Sequence, residues 1–206
     1  MKFIIPAREG SKGLPYKNRK LFKYTSEKIP KEFRSLVWVL TDDFEIKKMA
    51  IACDFNVWDR DDSVSGDLTS TKELMVKFID SNNISNEDLI VLYLTYPERN
   101  WSDIESILSF YKKNNLSTLL CKKEIDVSPF LILKEEENNM GSQLFYHNLY
   151  RRQDYPKCFE ISHFIFIFNS KIILLLNNNM YNTNTYYYPI DSKIDVDTQK
   201  DFDKLK

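Results

Sequence analysis

Glycine is scarce in this chain, four among 206 residues, and neither GxxxxGK[ST] nor GxGxxG occurs. P-loop and Rossmann readings therefore fail on spacing. Cysteine is scarcer still: Cys53, Cys121 and Cys158 are odd in number, far apart, and share no metal-ligand spacing. That excludes a disulfide framework and predicts reduced thiols in a cytoplasmic compartment. Net charge is almost absent, at -1, so bulk electrostatics favour neither nucleic acid nor an anionic membrane as partner. Any anion site must be local. Long apolar runs are missing too. Phe3 to Ala7 meets Arg8 at once, too short for the core of a signal peptide, and Ile172 to Leu176 is far too short to span a bilayer. No internal repeat is visible, and the NNN and YYY runs read as base composition of the genome.

What is present is ordinary for a globular domain: 43% apolar and 29% charged residues, with length enough for a real core. Lys2 to Ala7 reads as a buried strand. Ser35 to Thr41 is a second β-rich run, followed by a helical stripe (Ile46, Met49, Ala50, Cys53) that Asp42 and Asp43 are placed to cap. Asn56 to Trp58 predicts a short strand and Thr71 to Ser81 a helix. Leu89 to Thr95 gives the strongest strand signal, then a helix capped by Ser102 or Asp103, then a strand over Leu116 to Cys121. Strand and helix thus alternate through about the first 120 residues. This predicts a three-layer α/β/α fold with a mostly parallel central sheet, Rossmann-like in architecture. Beyond it, 129–133, 144–150 and 162–168 read as strands without helices between them, with a turn at 137–142. The expectation is one domain over 1–206, with 124–160 a small antiparallel excursion serving as dimer contact or lid, and a last helix from Thr198 to Lys206.

Two of the four glycines, Gly10 and Gly13, stand in IIPAREGSKGLPYKN, directly behind the first strand. Loops at the carboxyl ends of strands are where open α/β sheets bind ligands. Glycine lets backbone N–H groups turn onto an anion. Arg8 supplies a planar fork for phosphate oxygens, and Lys12 and Lys17 add point charges. The loop is equipped for a nucleoside triphosphate; on composition alone a solvated basic loop reads equally well. Near the other end, KIDVDTQKDF at 193–202 sets Asp195 and Asp197 two apart. On a strand they face one side, roughly 6.6 Å apart, while Ile194 and Val196 face the core. Paired carboxylates make a seat for Mg²⁺.

The run PAREGSKGLPYKN resembles the ARxGSKGxPxKN signature of the cytidylyltransferases that activate acidic sugars, the CMP-sialic acid synthetases and their relatives. LTDD at 40–43, Arg60 with GDLTST at 66–71, RRQDYPKCFE at 151–160 and KIDVDTQKDF match further stretches in the same order, from Phe3 to Phe202. The resemblance implies that Arg8, Gly10, Ser11, Lys12, Gly13, Lys17 and Asn18 hold the phosphates of CTP, and that Arg60, Thr69 and Thr71 read the cytosine. It implies a catalytic set of Arg8, Lys17, Asp195 and Asp197, the two aspartates holding Mg²⁺. TST also reads as the N-cap of the helix at 71–81. A homodimer is implied, with the excursion reaching the partner subunit.

The nucleotide half matches better than the sugar half. Tyr93 stands where sialic acid enzymes carry glutamine, and RPNGAIY becomes EISHFIF at 160–166, so Glu160, Ser162, His163 and Phe166 replace arginine, asparagine, glycine and tyrosine. Tyr93, Arg152, Gln153, Ser162 and Phe166 are the candidates for the sugar. Loss of hydrogen-bonding partners in such a site changes the substrate, which points to another nonulosonate or 2-keto sugar acid. His163 is read as packed in the core ahead of a base, and Pro30 as breaking the helix that follows Asn18. The expected activity is transfer of CMP from CTP to an anomeric hydroxyl with release of pyrophosphate. The alternatives are a nucleotidylyltransferase of another sugar or base, and a nucleotide-binding homologue without turnover.

Overall fold

A computed structural model describes residues 1–66 and 69–205. Seven strands form one sheet: β1 (Lys2–Pro6), β2 (Val37–Thr41), β3 (Asn56–Asp59), β4 (Asp88–Val91), β5 (Thr118–Glu124), β8 (Phe159–Asn169) and β9 (Tyr186–Pro189). The order is β3-β2-β1-β4-β8-β5-β9, and β8 alone runs against its neighbours. A second, two-stranded antiparallel sheet pairs β6 (Leu133–Glu135) with β7 (Gly141–Gln143).

Alternation along the strands explains the layers. Phe3 and Ile5 face one side and Ile4 the other; on β8 Ile165 and Ile167 oppose Phe166 and Phe168. The first face is covered by α1 (Lys17–Ser26), α2 (Phe44–Ala52) and α5 (Trp101–Lys113), through Leu21, Phe22, Ile46, Ile104 and Ile107. The second is covered by α4 (Thr71–Ser81), through Leu74, Met75 and Phe78, and by a 3-10 turn over Ser170–Leu175. Helices α2, α4 and α5 show the apolar stripes that their spacing predicted, and burial of the stripe is what holds each helix on the sheet. The mostly parallel three-layer fold is therefore as expected.

Several boundaries differ. The run Leu89–Thr95 leaves the ladder after Val91, because the Arg99 guanidinium takes the Tyr93 carbonyl at 2.9 Å and Val196 N takes that of Thr95 at 2.8 Å. Asn100, and neither Ser102 nor Asp103, caps α5; Asp103 instead accepts from Asn100 N at 2.8 Å. Asp43 alone caps α2, accepting from Glu45 N and Ile46 N, while Asp42 accepts from Glu9 N. Pro30 ends the chain's descent from α1 and opens a 3-10 turn over Lys31–Leu36. In the excursion, Pro129–Leu131 is a 3-10 turn and 144–150 is no strand; the hairpin is β6 and β7 around the predicted turn. Asp195 to Asp197, expected on a strand, lies outside any strand. The tyrosine-rich β9, read as base composition, is an edge strand. The last helix, α6, is shorter than expected, Gln199–Asp203 behind the Thr198 cap.

Candidate functional site

The loop that leaves β1 is shaped before any ligand arrives. Ala7 N continues the β1–β2 ladder to Leu40 O at 2.9 Å, and Thr41 Oγ1 donates to the Ala7 carbonyl. Gly10 then takes φ of 76°, a left-handed turn that glycine adopts without cost. Asn18 Nδ2 reaches back to the Arg8 carbonyl at 2.9 Å and closes the loop across its mouth. Leu14, fully buried, pins its middle to the core. Arg19, on the first turn of α1, bridges Glu9 and Asp43, tying the loop to the cap of α2.

Gly13 explains the second glycine. A Cβ at that position would lie 2.3 Å from the backbone oxygen of Asp197, so only glycine lets the two segments touch. Lys17 seals the junction, its ammonium 2.8 Å from Asp197 Oδ1. The aspartate segment is held from its other side by the Val196 amide on Thr95 O and by burial of Val196. Loop and carboxylates, 180 residues apart in sequence, thus meet at the carboxyl ends of β1 and β4.

Asp195 and Asp197 line one cavity of about 330 Å³ together with Thr71, Tyr93, Thr95, Tyr96, His163 and the stretch 178–180. Tyr93 Oη donates to Thr71 Oγ1 at 3.0 Å, and its ring meets His163 edge to face at 5.6 Å. Burial raises the Tyr93 and Tyr96 phenols above their ordinary value, so both stay protonated as donors. Burial also lowers His163, against the opposing charge of Asp195.

The structure brings together Lys17, Asp195, Asp197, Thr71 and Tyr93 among the predicted residues, with Ser162 just behind them, its Oγ 3.4 Å from Tyr96 Oη. Ser11, Lys12 and Thr69 are accessible on their loops. Arg60 is bound within its own turn, donating to the Val64 carbonyl; burial lowers its pKa, and Asp42 and Arg8 are the charges that it feels. Asp67 and Leu68, within the predicted base-reading run, lie outside the described residues. Ser70, the middle residue of TST, caps α4 as expected, in a reciprocal box with Glu73. Phe166 does not enter the cavity: it is fully buried and stacked on Phe168. Arg152 and Gln153 lie exposed on the excursion, where Arg152 lines a separate cavity with Tyr155 and Lys157.

Two features escaped the sequence. The NNN run supplies the wall of the cavity at Asn178 and Asn179, and no periodicity distinguishes such a loop from compositional bias. Arg99 is buried at 3% exposure, and among the described residues no carboxylate forms an ion pair with it. Its guanidinium donates to the carbonyls of Phe164 at 2.6 Å and Tyr93 at 2.9 Å, joining β8 to the segment that carries Tyr93. Burial pulls its pKa down to about 10, which leaves it charged at neutral pH.

No family model matches the chain. It is 26% identical over 97% of its length to an N-acylneuraminate cytidylyltransferase of Streptococcus agalactiae serotype V, and spans about half, 51%, of that relative. It is also 26% identical to post-translational flagellin modification protein B of Campylobacter coli, covering 96% of this chain and 90% of that one. Among solved structures, a CMP:2-keto-3-deoxy-manno-octonic acid synthetase complexed with CTP superposes with TM-score 0.69 at 16% identity, over 99% of this chain and 95% of the other. The chain thus resembles the cytidylyltransferases in sequence along nearly its whole length and shares the fold of a CMP-sugar synthetase.

Proposed function

We propose that the chain transfers CMP from CTP to the anomeric hydroxyl of an acidic 2-keto sugar and releases pyrophosphate, with Mg²⁺ as cofactor. One observation carries the reading: Gly13 and Lys17 seat the cationic loop directly on Asp197, beside the cavity that Asp195 shares. A triphosphate on that loop places its α-phosphate next to a pocket deep enough for an acceptor.

The residues fit the cofactor. Two carboxylates line one cavity and Asp197 keeps two-thirds of its side chain exposed, at 67%. Among the described residues no cluster of three or more acidic, histidine or cysteine ligands exists. That favours Mg²⁺, which takes one or two carboxylates and completes its shell with water and substrate phosphate. Bound there, the ion supplies charge screening and acidifies the acceptor hydroxyl.

Arg8 and Lys17 neutralise the charge that grows on the departing pyrophosphate. Asn18 holds the loop in the shape that aims its amides, and Gly10, Ser11 and Lys12 line the phosphate path. Arg60, Thr69 and Thr71 read the base, and Tyr93 and Ser162 shape the acceptor side. Arg152 and Gln153 meet a sugar only if the excursion reaches the cavity of a second copy. The excursion's exposed apolar residues, Leu133, Met140, Leu144 and Tyr146 among them, favour that homodimer.

The test is pyrophosphate release from CTP and Mg²⁺ across a panel of nonulosonates and 3-deoxy sugar acids. Release with one of them, reduced about 100-fold or more in Asp197→Ala, supports the reading. CTP binding with silence across the panel favours a nucleotide-binding homologue without turnover.

A further inference from the structure

Resting on the transfer reading, we propose that His163 fixes the size of acceptor the cavity admits, and that the turn Asn177 to Met180 is the brace that makes it effective. The cavity, at about 330 Å³, lies at the small end of ligand sites. His163 occupies part of its wall from β8, half-buried, with its ring edge to face against Tyr93 at 5.6 Å. Asn178, Asn179 and Met180 line the same cavity as the ring.

The brace is itself rigid. Asn177 Oδ1 accepts from Asn179 N at 3.0 Å and Tyr181 N at 3.1 Å, and Asn177 N donates to Tyr181 O at 2.9 Å. Met180, at φ of 68° and 1% exposure, anchors the turn in the core under the sheet. Tyr93, against which the ring packs, is itself tied to Thr71. A ring backed in this way takes up volume that an acceptor would need. The polar groups lining the cavity are hydroxyls, amides, the imidazole and two carboxylates. Its volume favours an acceptor of compact outline over one that carries a bulky acylamino branch.

The experiment compares two acceptors, an eight-carbon 3-deoxy ulosonate without nitrogen substituents and a nine-carbon acylamino ulosonate, by kcat/KM for pyrophosphate release. The wild-type chain is expected to favour the smaller about 10-fold or more, the discrimination that a few methylenes in a fixed pocket give. His163→Ala should cut that ratio by about an order of magnitude with CTP affinity unchanged. His163→Asn, intermediate in volume between histidine and alanine, should lower it part of the way. A ratio of rates is insensitive to loss of folded protein. A ratio within twofold of wild type in both variants, or wild-type preference for the acylamino acceptor, would overturn the inference. Wild-type silence with both acceptors while CTP still binds would instead overturn the transfer reading, and the inference with it.

Discussion

At the residue scale the two loop glycines have different jobs, and substitution separates them. Gly10 needs its positive φ but has open space around it, with nothing within 4 Å of an added Cβ. Gly10→Ala should cost about 1–2 kcal/mol of stability and leave the junction in place. Gly13→Ala forces a methyl onto the Asp197 carbonyl and must push the loop off the carboxylates. Its stability cost is of similar size, about 1–3 kcal/mol. Its activity cost is larger, about 100-fold in pyrophosphate release, because a displacement near 1 Å ruins alignment. Thermal unfolding and turnover measured on both variants check the distinction. Equal activity in the two would refute the idea that close approach sets the second glycine.

At the scale of elements, short connections carry the order of the fold. Asp43, two residues past β2, caps α2 and pairs with Arg19 of α1 at 2.7 Å, so one buried carboxylate joins two helices. Asp43→Ala should lower stability by about 2 kcal/mol, seen as a fall of roughly 4–8 °C in Tm. Glu87 does similar work at the start of β4, with Lys2 at 2.8 Å and the N-terminal amine at 3.2 Å. Chiefly through the Lys2 hydrogen bond, its pKa lies below the ordinary 4.5. A depressed carboxylate stabilises above its unfolded pKa, and that contribution is lost as pH falls through the folded value. Denaturant melts should therefore show Glu87→Gln less stable than wild type at neutral pH, with the gap closing well below pH 4.5. A gap independent of pH would assign Glu87 a packing role alone.

On the scale of the whole molecule, the excursion between β5 and β8 carries apolar residues that the single chain leaves uncovered. Leu133 is 64% exposed, Met140 68% and Tyr146 98%, and none belongs to the two clusters on the faces of the sheet. Leu133→Asp with Met140→Asp should convert the expected homodimer to monomer in sedimentation equilibrium. Pyrophosphate release should fall while CTP affinity holds, since the loop proposed to hold the phosphates, behind β1, is no part of the excursion. A wild-type monomer would remove the route by which Arg152 and Gln153 reach a sugar.

What the sequence determined by itself is what local chemistry dictates. Apolar period placed β1, β2, α2, α4 and α5 within a few residues, because burying a stripe needs no knowledge of distant partners. The loop's glycines and cations led to the expectation of an anion site, and the spacing of Asp195 and Asp197 to that of a shared face; the structure puts both aspartates on one cavity without a strand. The tertiary structure decided what depends on distant contact. It stopped β4 at Val91, where Arg99 and Val196 claim carbonyls that a ladder would have used. It sent Phe166 into the core and left Arg152 on the excursion, since the antiparallel β8 sets which residues face α4. It turned an asparagine run into a cavity wall. And it brought Gly13 to Asp197, a meeting that no local pattern encodes, because only the packing of the sheet closes a gap of 184 residues in the chain.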